Sequence, residues 1–262
     1  HVAVVFFLGQ TETGDAARAL ITRYRAEDLD ARLKAVTDGW DRMLGTMQVK
    51  TPARALDLML NQWLLYQTLV CRVWARTAFY QASGAYGFRD QLQDVMALVV
   101  SRADLARAQI VKAASRQFVE GDVQHWWHEP AGRGVRTRIS DDLLWLPYAA
   151  SHYLAVTGDQ GILDDAIPFL EGAVLAADQL ESYFEPRVAD EHGTLFEHCA
   201  RTIDRSLAVG AHGLPLIGTG DWNDGMNLVA KLSQGESVWL AFFLCHVLRE
   251  FAVAFARLLP HL

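Results

Sequence analysis

A chain of 262 residues, 51% of them apolar, can bury a sizeable core as one large domain, or as one domain with pieces of its neighbours. A net charge of −7 excludes nucleic acid and anionic lipid as main partners. Three scattered cysteines, Cys71, Cys199 and Cys245, form no CxxC pair, which excludes a disulfide framework and a thiolate metal site. They fit a reducing compartment, so the cytoplasm is the expected location, including as a domain of an inner-membrane protein.

No apolar run is long enough to span a bilayer, and residues 2–8 lack the basic flank of a signal peptide. That first run, Val-Ala-Val-Val-Phe-Phe-Leu, reads as a buried strand stopped by Gly9. No second strand follows to pair with it. Together with a first residue that is not methionine, this leads us to expect a fragment of a longer protein, with the partner sheet upstream. Asp15 is the expected cap of a helix over 16–24, and a second helix is expected over 29–43. From Pro52 onward the apolar spacing predicts helices over 53–80, 89–100, 102–119, 141–156, 160–182, 193–209 and 235–259. Trp63, Trp74 and Trp239 fall at helical spacing and are assigned to the core. The helices are joined by long segments rich in Gly, Pro and Trp, at 81–88, 120–140, 184–192 and 210–234. Long loops in a helical domain are where function concentrates.

Three of these segments carry candidate chemistry. Gly218-Thr219-Gly220-Asp221-Trp222-Asn223-Asp224-Gly225-Met226-Asn227 sets two carboxylates and an indole among glycines. An acid beside an apolar ring can hold its proton near neutral pH, and the ring suits a sugar face. An Asx-rich turn that caps the next helix explains the same composition. At 83–94, Arg89-Asp90 stands at a helix start, where the pair can bind vicinal sugar hydroxyls or serve as a cap with a surface cation. In the third segment His125, His128 and Glu129 invite zinc, but a His-x-x-His pair in a loop lacks the i,i+4 spacing of a helical metal pair, so no metal is expected. Arg133, Arg136, Arg138, Asp141 and Asp142 follow beside tryptophans, as a site for a polyhydroxylated ligand or an anion would require, or as a solvated charged face would. His152, His198 and His246 are assigned to structure. No GxSxG, Walker or Rossmann pattern is present.

Gly87-Phe88-Arg89-Asp90-Gln91-Leu92-Gln93-Asp94, then Arg136-Thr137-Arg138-Ile139-Ser140-Asp141-Asp142 with Leu144-Trp145-Leu146, then 210–216 through 220–227 occur in the order seen in glycoside hydrolase family 94. The chain resembles the glycoside phosphorylases of that family over nearly its whole length. The segments 78–84 and 194–199 are most similar to the phosphorylase domain of cyclic β-1,2-glucan synthases. The resemblance implies a mainly α fold: part of an (α/α)6 barrel, preceded by a helical linker and the last strand of an N-terminal β-sandwich. The implied boundaries are 1–12 for the sandwich, 13–48 for the linker and 49–262 for the partial barrel.

By the same resemblance Asp224 is the general acid, and Arg89, Asp90, Arg136, Asp142 and Trp222 bind the sugar whose anomeric carbon reacts. The implied reaction cleaves β-linked, in particular β-1,2-linked, gluco-oligosaccharides with phosphate to α-glucose 1-phosphate with inversion. An inverting hydrolase needs a second carboxylate to activate water, whereas phosphate arrives as its own nucleophile. The expected partners are the oligosaccharide and inorganic phosphate as co-substrate, with no cofactor, no nucleic acid, no membrane contact from this segment, and a homodimer as one assembly to test. The family's phosphate-holding histidine and threonine lie in the last part of the barrel, expected beyond Leu262, so the fragment alone is expected to be an incomplete catalyst. Two other readings remain: an inverting hydrolase on the same fold, with Glu197 and Asp190 as the nearest unassigned acids, and a non-catalytic carbohydrate-binding or length-sensing segment of a synthase.

Overall fold

The computed structural model describes residues 4–74, 83–224, 226, 228–230 and 234–256. It divides into two compact units, 1–62 and 63–262. The described part is mainly helical, with two small antiparallel sheets. Among the described residues no helix is long and apolar enough to cross a membrane.

The first unit holds α1 (Gly14–Ala26), α2 (Leu29–Leu44) and α3 (Arg54–Leu58). Thr13, not Asp15, caps α1, because its hydroxyl accepts from the Ala16 amide. Asp15 falls in the first turn, where its charge favours the helix dipole. Asp28 caps α2 by accepting from the amides of Asp30 and Ala31. The strand expected at 2–8 is absent among the described residues 4–12, where Val4, Phe6 and Leu8 are exposed. A strand exists through its ladder, and no partner is present among the described residues.

The expected helix 53–80 is broken by wide, π-type turns at Met59–Trp63 and Thr68–Trp74, with α4 (Leu64–Gln67) between them. Residues 75–80 of that expectation lie outside the described residues, as do 78–82 of the family-like segment, Gly225, Asn227 and 257–259. Trp63 and Trp74 are about half exposed and Trp239 is 37% exposed, so none belongs to the sealed core assigned to them.

In the second unit the expected helices at 89–100, 102–119, 141–156, 193–209 and 235–259 are present as α5 (Phe88–Met96), α6 (Ala103–Ala114), α7 (Asp142–Thr157), α8 (Leu195–Ser206) and α9 (Val238–Ala256). The apolar α7 is central and packs against the other four. Leu144 from α7, Ile203 from α8 and Leu240, Leu244 and Val247 from α9 form one buried cluster, with Tyr148, Phe243 and Phe251 packed against it.

Two regions differ from expectation. The 120–140 loop contains a hairpin of β2 (Gln124–His128) and β3 (Arg133–Thr137), joined to β1 (Ala85–Gly87) on one side and β5 (Glu181–Phe184) on the other. The expected helix 160–182 is a 3₁₀ turn at Gln160–Asp164 followed by β4 (Ala166–Glu171), which pairs with β6 (Arg187–Thr194). Pro168 lies within β4, where a helix would lose a backbone donor, and Ile167 and Phe169 alternate into the core.

Candidate active site

Three distant segments converge in the second unit. Gly87 begins α5, and a Cβ there would meet Asp90 Oδ2 at 2.1 Å, so Asp90 folds back over a residue without a side chain. The strand exit at 138–140 holds the 217–220 loop: Thr219 N donates to Arg138 O, Ser140 N donates to Gly220 O, and the Ser140 hydroxyl reaches Ile217 O at 3.0 Å. Gly218 is required at this crossing, since its φ is +63° and a Cβ would stand 1.8 Å from Arg138 O. Beyond it, Asp221 is 2% exposed and accepts from the Asn223 amide, the Asn223 carboxamide and the Ser237 hydroxyl. Ser237 in turn accepts from Leu240 N at the start of α9. The loop carrying Asp224 is thereby fastened to a helix end.

The centre of the site is Arg89. It is 8% exposed, and its guanidinium donates to Asp141 Oδ2 at 3.1 Å and to both oxygens of Asp224 at 3.0 and 2.9 Å. Burial works against its charge, and Asp141 and Asp224 together hold its pKa above the usual value. Asp141 also accepts from Trp145 Nε1 at 2.9 Å. Burial, and then the neighbouring Asp142 carboxylate, raise the Asp141 pKa against the pull of Arg89. Asp142 is 1% exposed and bonds His125 Nδ1 at 2.7 Å. Burial disfavours the imidazolium, yet the Asp142 carboxylate outweighs it, and the His125 pKa is pushed up to about 9. Among the described residues, the buried Oδ1 atoms of both Asp141 and Asp142 have no hydrogen-bond partner.

Arg89, His125 and Asp224 border a cleft of about 350 Å³, lined also by Asp90, Trp126 and His128 among others. The Asp224 side chain is 66% exposed, so one carboxylate is held in place yet open to a ligand. A second cavity, of about 340 Å³, lies beside α7 among Val123, Ile139, Leu175, Leu216 and Leu240. Asp122, Arg138, Asp142 and Arg205 also line it; Arg138 donates to the carbonyls of Leu175, Ala176 and Gln179, whereas Asp142 Oδ1 has no hydrogen-bond partner among the described residues.

Of the residues expected at the sugar, Arg89, Asp90 and Asp224 line the cleft, whereas Asp142 lines the second cavity and touches the cleft only through its bond to His125. Trp222 is half exposed and sits apart from this lining, its ring 6.4 Å from Trp239. Arg136 is fully buried elsewhere. Its guanidinium donates to both oxygens of Asp122, to Glu120 and to the carbonyls of Gly172 and Ala173, and it lies 4.0 Å over the Phe118 ring. Every one of its nitrogens is engaged by protein oxygen. His125, His128 and Glu129 do not converge, since Glu129 accepts from Trp127 Nε1 and pairs with Lys112 and Arg116. Among the described residues no three His, Cys, Asp or Glu side chains are placed to hold a metal ion.

The family described as "Glycosyl hydrolase 94 superfamily, catalytic domain" matches residues 39–258. The chain belongs to this family. It is 53% identical, over 95% of its length, to the cyclic β-(1,2)-glucan synthase NdvB of Rhizobium meliloti (strain 1021), of which it covers 9%. It is 31% identical, over 93% of its length, to the solabiose phosphorylase of Paenibacillus borealis, of which it covers 28%. It is 27% identical, over 76% of its length, to the 1,2-β-oligoglucan phosphorylase of Listeria innocua, of which it covers 18%. The chain thus spans less than a third of the length of these relatives.

Within this family member, sequence reasoning missed His125 as the partner of Asp142, and it left Asp141 without a role. Both are paired across long stretches of chain, His125 to Asp142 over 17 residues and Arg89 to Asp141 over 52. No regular alternation in β2 could have marked His125, because the register is interrupted between Gln124 and Trp126 and both Gln124 and Trp127 are buried.

Proposed function

We propose that the chain is part of an inverting glycoside phosphorylase. It acts on β-linked gluco-oligosaccharides, in particular β-1,2-linked ones, and releases α-glucose 1-phosphate. The carrying observation is the two-pronged hold of Arg89 on Asp224 at an open cleft. Asp224 is the general acid that protonates the glycosidic oxygen while phosphate attacks the anomeric carbon from the opposite face. Arg89 orients it; the carboxylate gripped on both oxygens carries no proton, so the acid forms when a sugar hydroxyl displaces one contact and the freed oxygen takes up a proton from solvent before donating it to the glycosidic oxygen. Arg89, Asp90, Asp142 and Trp222 are read as sugar contacts, and Arg136 as the clamp that fixes the strand leading to them. We read α5–α9 as part of an (α/α)6 barrel and α1–α2 as a linker. The β-1,2 preference is supported by the names of the Rhizobium and Listeria relatives.

The hydrolase reading needs a second carboxylate at the cleft. Glu197 is engaged in the capping box of α8 with Thr194, and the Asp190 side chain is fully exposed on β6. Neither lines the cleft; the carboxylate other than Asp224 that does, Asp90, is read as a sugar contact, so phosphate dependence decides between the two reactions.

The test incubates the chain, and a form extended at both ends, with sophorose-type oligosaccharides, with and without phosphate. Glucose 1-phosphate that forms only with phosphate supports the proposal, whereas free glucose without phosphate sinks it. Asp224→Asn is expected to lower turnover by about 10²–10⁴-fold with sugar binding retained.

A further inference from the structure

The four-stranded sheet presents one aromatic face inward and another outward. Inward, Trp127 is fully buried and stacks on Tyr86 with ring centroids 6.0 Å apart. Outward, the register runs Gly87, Trp126, Val135, Tyr183 across β1, β2, β3 and β5. Residues directly opposite one another in an antiparallel sheet share a face, so Trp126 and Tyr183 flank Val135 on that outer side. Their rings are 5.5 Å apart and tilted by 38°. Tyr183 is 53% exposed. His128, two residues along from Trp126, stands with its ring 5.3 Å from that indole. Arg133 lies 6.0 Å from the Tyr183 ring centroid and 3.9 Å from Glu185. The strip therefore has an apolar floor and a rim of hydrogen-bonding groups.

One end of this strip is already in the cleft, where Trp126 and His128 line the same cavity as Arg89 and Asp224. The other end runs two strands away, about 10 Å at the usual strand spacing. Pyranose rings present flat faces of C–H groups that pack on the negative face of an aromatic ring, while their hydroxyls seek donors and acceptors at the edge. A sheet stabilised only by cross-strand contacts has no need for an exposed Tyr183 at the end of a row that begins, at the partly exposed Trp126, in a cleft.

We infer that the Trp126–Tyr183 strip is a binding surface for glucosyl units beyond those held in the cleft, so that the protein binds longer β-gluco-oligosaccharides more tightly than a disaccharide. The inference rests on the reading of the cleft as a carbohydrate site. It does not need the reaction to be phosphorolysis.

The experiment measures binding by calorimetry, without phosphate, for sophorose and for a β-1,2-gluco-oligosaccharide of about five units, enough to cross the strip at the strand spacing. One stacking contact corresponds to about a five- to tenfold change in Kd, so the longer sugar should bind the unaltered protein tighter by at least that factor. Tyr183→Ala should remove most of the difference and leave sophorose binding unchanged, while Tyr183→Phe keeps the difference. Equal affinity for both lengths, an equal loss of both in Tyr183→Ala, or no binding of the longer sugar would each overturn the inference. A change in melting temperature without a change in length preference would mark the row as a sheet-stabilising pair and overturn it as well. Length-dependent binding with no glucose 1-phosphate from the form extended at both ends, supplied with phosphate, would sink the phosphorylase reading and leave this one standing. Phosphorolysis without length preference would do the reverse.

Discussion

Two buried arginines from two family-like motifs end in opposite situations. Arg136 is sealed, and each guanidinium nitrogen meets a protein oxygen from Asp122, Glu120, Gly172 or Ala173. Arg89 is nearly as buried, but one of its carboxylate partners, Asp224, is 66% exposed at the mouth of a cleft. The same side chain thus serves as a finished clamp in one place and as an unfinished one in the other. What separates a structural ion pair from a site is whether the far partner can exchange a protein contact for a ligand.

The largest expected effect tests the finished clamp. Arg136→Ala would leave the buried Asp122 carboxylate and the carbonyls of Gly172 and Ala173 without their donor. Breaking a buried pair from one side costs about 3–5 kcal/mol, so urea unfolding should show a loss of that size. Sugar affinity of the folded fraction should change little. A fully stable Arg136→Ala protein with lost sugar binding would move Arg136 from the scaffold to the substrate.

Arg89→Ala should invert that pattern. Turnover is expected to fall about a hundredfold, close to 2.7 kcal/mol of transition-state stabilisation, because Asp224 loses its orienting partner. The stability loss should be smaller than for Arg136→Ala. Asp224 can turn to water, and Asp141, whose carboxyl is already raised by burial and by Asp142, can take up a proton rather than remain a bare buried charge. Matching stability losses for the two variants, with turnover intact in Arg89→Ala, would break the comparison.

The asymmetry also explains what could be read from sequence. Local signals carried well for helix positions: the helix expected over 193–209 is present as α8, and the apolar run 143–146 lies in the central α7. They failed where the period changes within a few residues, as at 160–171, where Ile162 and Leu163 suit a helix but Pro168 and the Ile167–Phe169 alternation belong to a strand. The fates of Arg89 and Arg136 could not be read locally. Asp122 is 14 residues from Arg136 and Asp224 is 135 from Arg89, and only the folded chain decides which carboxylate stays open.

The smallest expected effect concerns the pair that stands between these extremes. The His125 ring is mostly buried, its Nδ1 is bonded to a fully buried carboxylate, and it lines the cleft beside Arg89 and Asp224. Its pKa in the folded chain is pushed up to about 9, from about 6.5 in the unfolded chain. A raised pKa means that the folded state binds the proton more tightly. The stabilisation is therefore complete below about pH 6.5 and is lost as pH rises through about 9. The unaltered protein should lose about 1–2 kcal/mol between pH 7 and 9 from this source, with Asp142 and Asp224 favouring the imidazolium and Arg89 opposing it. His125→Asn keeps a polar group and removes the titration, so the difference in urea stability between the two proteins should shrink across that window. Taking the difference matters because the Cys199 thiol, raised by full burial, also ionises more readily in the unfolded chain at alkaline pH and affects both proteins alike. Parallel pH profiles would place the charge on His125 with the solvent rather than with Asp142, and the pair would then resemble neither the sealed clamp nor the open one.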